Sequence, residues 1–207
     1  LQMSMLPEGQ TLEDKLKPET YAKVQEYLKG NPALGMMANR LTPGMMAMKI
    51  SSVEAMKIGA RPDLGVEMVF DKQAREDKKP VIGMETVEFQ INLFNGMSAE
   101  EQDKLLSTTI DQVEETPKML GDMISAWRTG DIKSLSEQLN AHFEEDEKLA
   151  AILLYQRNAA WIPYIVNELE NQEGNAVFIV GAGHLAGQKS VNEFLEEKGY
   201  KLEQQNP

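Results

Sequence analysis

One stretch after another of this 207-residue chain opens on a proline or a capping residue and closes on a glycine, and that punctuation commits most of it to helix. Pro18 starts "PETYAKVQEYLK" and Gly30 ends it. Proline suits a first helical turn because the N–H it lacks would have no partner there, and glycine suits the stop. Thr42, Pro43 and Gly59 frame "LTPGMMAMKISSVEAMKIG" in the same way, with Met45, Met46, Met48 and Met56 read as flexible core filling. Ser98 and Glu101 form a capping box ahead of a stripe of Leu105, Leu106, Thr109, Ile110 and Val113. A further helix is predicted through Met119, Leu120, Met123, Ile124 and Trp127, and Asp131 caps a short one carrying Ile132, Leu135 and Leu139. A long helix is predicted from about 146 to 171, kinked at Pro163.

Strand signals are few. "KPVIGMET" (79–86), "NAVFIVGAG" (175–183) and "GYKLEQ" (199–204) are short and apolar or rich in β-branched and aromatic residues. Ser190 and Glu193 make a second capping box between the last two. Strand, helix, strand predicts an α/β, helix-rich fold in a single domain over 1–207. A small mixed central sheet of two or three strands is expected, covered by a large helical insertion at about 98–171. So small a sheet under so much helix predicts that further strands, N-terminal to these, are missing, and the Leu1 start reads as processed or trimmed.

Charge and composition exclude several classes of function. With 33 acidic against 21 basic residues the formal net charge is -12, which opposes phosphate backbones and anionic lipid, so no nucleic-acid partner is expected. Cysteine is absent, which removes disulfides, zinc fingers, Fe–S clusters and a cysteine nucleophile. No apolar run approaches the roughly 18 residues of a membrane span. The acidic run "HFEEDEKL" (142–149) reads as a solvated helix start that complements the helix dipole, with His142 on the surface beside it.

The chemistry concentrates at "AVFIVGAGHLAGQ" (176–188), where an apolar run enters Gly181, Ala182, Gly183 and His184. Three readings compete. Gly181, Gly183 and Ala186 fit a dinucleotide-binding G-x-G-x-x-A, with Glu203 downstream, but the capping box at Ser190 starts the helix too late, and no nucleotide is expected. Alternatively His184 is the working residue at a sheet edge, where imidazole serves as base or metal ligand, and Gly181 and Gly183 allow close approach. The third possibility is a histidine that merely satisfies its hydrogen bonds in a turn. Glu85, at the end of "VIGME", would supply a carboxylate beside it if the two strands pair, and such a pair suits Mn²⁺ or Zn²⁺. A helix cap near Thr86 is the competing role for Glu85.

These residues carry a resemblance. "MLPEGQTLEDKL", "GARPDLGVEMVFDKQAREDKKPVIGMETVEFQINLF", "AWRTGDIKSL", "YQRNAAWIPYI" and "VFIVGAGHLAGQKSVNEFLEEKGYKLEQ" follow the order of the TraB/GumN (PrgY) family, which is similar in turn to the Tiki, erythromycin esterase and ChaN-like proteins. The resemblance implies a central sheet under a helical insertion and a metal-dependent hydrolase site, Tiki proteins being metalloproteases with two G-x-x-H motifs. Only the second motif is present here, at Gly181–His184. By the resemblance Glu85 and His184 are the expected catalytic and metal residues. Arg157 joins them to orient a carboxylate or stabilise an oxyanion, with Asn158 and Glu67 in support.

The first G-x-x-H of the family precedes the segment with which this chain opens. The expectation is therefore an N-terminally truncated, inactive piece of a peptidase-like hydrolase that binds its divalent metal weakly, and that could dimerise by strand pairing. The substrate is expected to be a peptide or related small molecule, and the compartment the periplasm or cell envelope. The alternative is a non-catalytic protein that sequesters peptides, as in the pheromone-shutdown branch of the family, with a methionine-rich helical lid.

Overall fold

The computed structural model describes residues 2–143, 146–171 and 173–205, with the side chains of 2 and 139–143 outside that description. His142 and the acidic residues through Glu145 therefore lie outside the described side chains. The helices run α1 (Pro18–Lys29), α2 (Pro32–Ala38), α3 (Pro43–Lys57), α4 (Val66–Glu76), α5 (Val87–Asn95), α6 (Ala99–Asp111), α7 (Thr116–Thr129) and α8 (Ile132–Phe143). Then come α9 (Glu147–Ala150), a π-helical turn at Ala151–Tyr155, α10 (Gln156–Asn171) and α11 (Val191–Glu197). The chain divides into two compact units, Leu1–Gly65 with Glu85–Lys118, and Val66–Met84 with Met119–Pro207.

In the first unit α3 packs on α6, and α6 on α1, around Val24, Met46, Ile50 and Leu106, with Leu6, Leu12, Leu34 and Leu41 closing the core. Of the four methionines of α3, Met46 fills the core while Met48 and Met56 stay exposed. The first turn of α3 lies so close to α5 that a Cβ at Gly44 would stand 2.9 Å from Phe94 Cβ. Asp103 of α6 is buried and serves as the cap that α1 lacks. Its carboxylate accepts from Lys17 N at 2.8 Å and from Thr20 Oγ1 at 3.1 Å. Glu54 is likewise buried, accepting from Tyr27 Oη at 2.5 Å and Lys57 Nζ at 2.6 Å.

The second unit is centred on Trp161, Ile162 and Ile165 of α10 and Val191 and Leu195 of α11. Met84, Phe178, Val180 and Tyr200 pack against this cluster from three non-helical segments. These are the segments that the sequence predicts as strands, and here the expectation fails. The chain is 67% helical, and the described residues contain no strand or sheet. Among the described residues an isolated antiparallel bridge joins Met5 and Leu41 of the first unit. The physical reason is that strand residues are selected for a half-buried surface, and a helical layer can supply that surface without a ladder. Phe178 and Val180 turn inward while Val81, Ile82, Val177 and Leu202 stay exposed, and no backbone hydrogen bond joins the three segments among the described residues.

The predicted long helix over 146–171 exists as three consecutive segments. Asp146 caps α9 by accepting from Leu149 N at 3.0 Å. The irregularity falls at the π turn, and Pro163 sits inside α10. One extra residue in a turn rotates everything after it, so the π turn sets which face Gln156–Asn171 presents. No helix among the described residues is long and apolar enough to cross a membrane.

Candidate functional site

After Val180 the chain makes a short 3-10 turn, Ala182–His184, in which His184 N donates to Gly181 O at 2.9 Å. Two small residues seat this turn. Ala182 and Ala186 pack against Met123 and Ala126 of α7 and Leu135 of α8, a place where a larger side chain would hold the loop away. Gly181 has an ordinary φ of -59°, and a Cβ there would only touch His184 Cδ2 at 3.8 Å. Its glycine therefore leaves space beside the ring and is not demanded by the backbone. The left-handed positions lie further on, at Gly187 (φ +84°) and Lys189 (φ +53°).

His184 is 8% exposed and its ring is held on two sides by α10. Asn158, 1% exposed, places Oδ1 2.6 Å from His184 Nδ1 and donates from Nδ2 to Lys189 O at 2.8 Å. This pair of bonds determines the tautomer. A backbone carbonyl only accepts, so the Asn158 NH₂ faces Lys189 and its oxygen faces the imidazole, and Nδ1 must carry the proton. In the neutral ring the lone pair then belongs to Nε2.

Trp161 lies against the ring with centroids 4.5 Å apart and planes tilted by 48°. Arg157, four residues earlier on α10, sets its guanidinium 5.2 Å over Trp161 and donates to Leu153 O at 2.8 Å. Trp161 thus contacts both the guanidinium and the imidazole.

The loop is closed on α11 by a capping arrangement that departs from the predicted box. Ser190 Oγ accepts from Glu193 N at 3.2 Å as expected, but the Glu193 carboxylate accepts from Lys189 N and not from Ser190 N. Asn192 Nδ2 donates to Leu185 O at 3.0 Å. At the end of the π turn Tyr155 accepts from Gln188 Nε2 at 3.0 Å, and Lys189 Nζ lies 4.8 Å over its ring.

The other predicted residues fall as follows. Glu85 belongs to the first unit, half-buried, immediately before the cap of α5. The cap is Thr86, whose hydroxyl accepts from Phe89 N at 3.0 Å, and Glu85 accepts from Gln90 Nε2 at 3.1 Å. Glu67 is exposed in the first turn of α4, where a carboxylate complements the helix dipole. Gly183 stands inside the 3-10 turn. Among the described residues no group of three or more histidine, aspartate or glutamate side chains gathers as a metal site. Sequence reasoning passed over Trp161, Tyr155 and Lys189. The first was readable from its i+4 spacing to Arg157, and Lys189 carried no local sign of its backbone conformation.

Fold and site together define a helix-rich protein that presents one buried, oriented imidazole at the tip of an alanine-seated turn. The chain belongs to the TraB/PrgY/gumN family, which it matches over residues 1–204. It is 26% identical to YbaP of Escherichia coli over 193 residues, covering 92% of this chain and 70% of that protein. It is 25% identical to the metalloprotease TIKI homolog of Amphimedon queenslandica and 24% identical to human metalloprotease TIKI1, over 95% and 96% of this chain but 48% and 49% of theirs. The chain thus spans about half the length of these TIKI relatives. No solved structure matches it.

Proposed function

We propose that this chain contributes to hydrolase chemistry of the peptidase type, centred on His184, with Arg157 as its working partner and Asn158 as the residue that orients the imidazole. The observation that supports it is the hydrogen-bonded sequence Lys189 O, Asn158 amide, His184 Nδ1, which fixes the basic nitrogen as Nε2. Buried polar groups locked in this way are a device for presenting a base. The names of the TIKI relatives support a protease substrate class and a divalent metal, Mn²⁺ or Zn²⁺ by ligand type. The described residues do not fit such a metal, because no group of three donors forms, whereas a catalytic metal has about three protein ligands. The proton chemistry therefore rests on His184 itself.

In that chemistry Nε2 takes a proton from water as the water oxygen bonds to the peptide carbonyl carbon and the carbonyl electron pair moves onto oxygen. The same proton passes to the departing amine as the C–N bond breaks. Arg157 supplies positive charge for the oxyanion, its orientation held by Leu153 O and the face of Trp161.

The test is hydrolysis of a fluorogenic peptide panel by the wild-type chain and His184→Ala, each with and without added Mn²⁺ or Zn²⁺. The expected loss on substitution is about 10²- to 10⁴-fold. Equal rates in the two proteins overturn the reading. A second reading, peptide sequestration without cleavage, is favoured by the exposed methionines Met36, Met48 and Met56 of the first unit. Peptide binding by wild type that survives His184→Ala, with no cleavage by either, selects it. The family resemblance also supports the periplasm or cell envelope as the compartment, which fractionation of cells expressing the protein decides.

A further inference from the structure

Two backbone positions within three residues are left-handed, Gly187 at φ +84° and Lys189 at φ +53°. Glycine adopts that conformation freely, and a lysine needs a reason. Lys189 is held there from three sides. Its N–H donates to the Glu193 carboxylate, its carbonyl accepts from Asn158 Nδ2 at 2.8 Å, and its ammonium lies 4.8 Å over the Tyr155 ring. The next residue, Ser190, is already the cap of α11. The direction of one carbonyl is thus set by the turn that joins the histidine loop to a helix.

We propose that Lys189 is a positioning residue, whose left-handed backbone aims the carbonyl that orients Asn158 and so keeps His184 in the Nδ1–H tautomer. The inference rests on His184 as the working residue and extends that reading to a position defined by its backbone and not by its side chain. If the carbonyl swings away, the buried Asn158 amide is released to turn its NH₂ toward the imidazole. Nδ1 then becomes the acceptor, the proton moves to Nε2, and Nε2 ceases to be the basic nitrogen. Such control by groups one step behind a histidine is a general way of fixing ring orientation and basicity.

The experiment is a long-range ¹H–¹⁵N correlation spectrum of the histidine rings, at pH about 8.5, where free imidazole is neutral. The chain has two histidines, so a His142→Gln background leaves only the His184 signals. Lys189→Gly and Lys189→Asn, which tolerate positive φ, are expected to keep the single Nδ1–H pattern. Lys189→Val, whose branched side chain does not tolerate it, is expected to shift the ring to Nε2–H or to an averaged pattern. A folded Lys189→Val with the wild-type pattern overturns the proposal. So does a Lys189→Gly that loses the pattern as valine does, since the side chain and not the backbone would then be responsible. Should the valine variant fail to fold, Lys189→Thr, also β-branched, against Lys189→Gly makes the same comparison, and equal patterns in those two overturn it. The readout needs no turnover. Failure of the hydrolase reading shows in the peptide assay of His184→Ala, and failure of the positioning role shows in the spectrum.

Discussion

Asn158→Ala tests the centre of the site by its cost in stability. Asn158 is 1% exposed and makes two hydrogen bonds, at 2.8 Å to Lys189 O and 2.6 Å to His184 Nδ1. Alanine removes both and leaves a ring N–H, buried with its 8% exposed histidine, and a carbonyl without this partner. An orphaned buried group costs about 1–3 kcal/mol, so the two together cost about 2–6 kcal/mol where neither reaches water. A domain in the middle of the ordinary stability range, about 10 kcal/mol, survives that loss in the absence of denaturant. With a urea slope of about 2 kcal/mol/M the midpoint falls by roughly 1–3 M. The assay can be confined to the right part of the chain, because both tryptophans, Trp127 and Trp161, lie in the second unit. Tryptophan fluorescence therefore follows its unfolding alone. A midpoint that moves by less than about 0.25 M, roughly 0.5 kcal/mol at that slope, refutes the two-bond bridge and with it the assigned tautomer.

Further outcomes concern the first unit and are read by circular dichroism in urea. Asp103→Ala leaves Lys17 N–H uncapped and Thr20 Oγ1 without its acceptor, and is expected to cost about 2–4 kcal/mol, while Asp103→Asn retains an acceptor and costs less than half as much. Gly44→Ala drives a Cβ to 2.9 Å from Phe94 Cβ and is expected to cost about 1–3 kcal/mol, where an alanine in an uncrowded helix would stabilise. Burial, and then the hydrogen bond to Glu54, hold the Tyr27 phenol well above its ordinary value. A raised folded value means that this contribution is complete below the unfolded value of about 10 and is lost as pH climbs from there toward the folded value. Tyr27→Phe is therefore expected to flatten the fall of the urea midpoint above pH about 10, and an unchanged slope refutes the assignment.

The parts of this fold that could be read in the sequence are those whose cause is local. Pro18 and Gly30 bracket α1, the Thr42 hydroxyl accepts from Met45 N at the start of α3, and Ser98 and Glu101 close both bonds of their capping box. Each of these is an agreement among residues a few positions apart, which a chain displays without its tertiary structure. The strands were not legible in the same sense. "VIGM", "VFIV" and "YKL" have the composition of strands, but a ladder depends on the hydrogen-bonding groups of another segment, and composition states only that one side of each will find an apolar surface. That weaker statement holds. Met84, Phe178, Val180 and Tyr200 do find one, and it is the helical layer of α10 and α11.

The site divides along the same line. His184, Arg157 and Asn158 could be singled out because histidine is scarce and because the arginine–asparagine pair carries the family resemblance, yet neither fact says what the three do to one another. Their relation is set at a distance. Asn158 reaches 26 residues along the chain to His184 and 31 to Lys189. Two independent constraints meet at the imidazole. Alanines at 182 and 186 let the turn settle on α7 and α8 and fix where the ring stands, while the amide from α10 and the carbonyl ahead of α11 fix which nitrogen is basic. Placement can fail while protonation is preserved, and the reverse. A bulky residue at 186 would lift the loop and leave the amide pair to re-form elsewhere, whereas a change at 158 or 189 would leave the ring in place with its proton on the wrong side. A histidine held by both is costly to retain as a mere core residue, since a leucine would fill the same volume without requiring the buried Asn158 as a polar partner, and that is the physical ground for proposing a chemical task for His184.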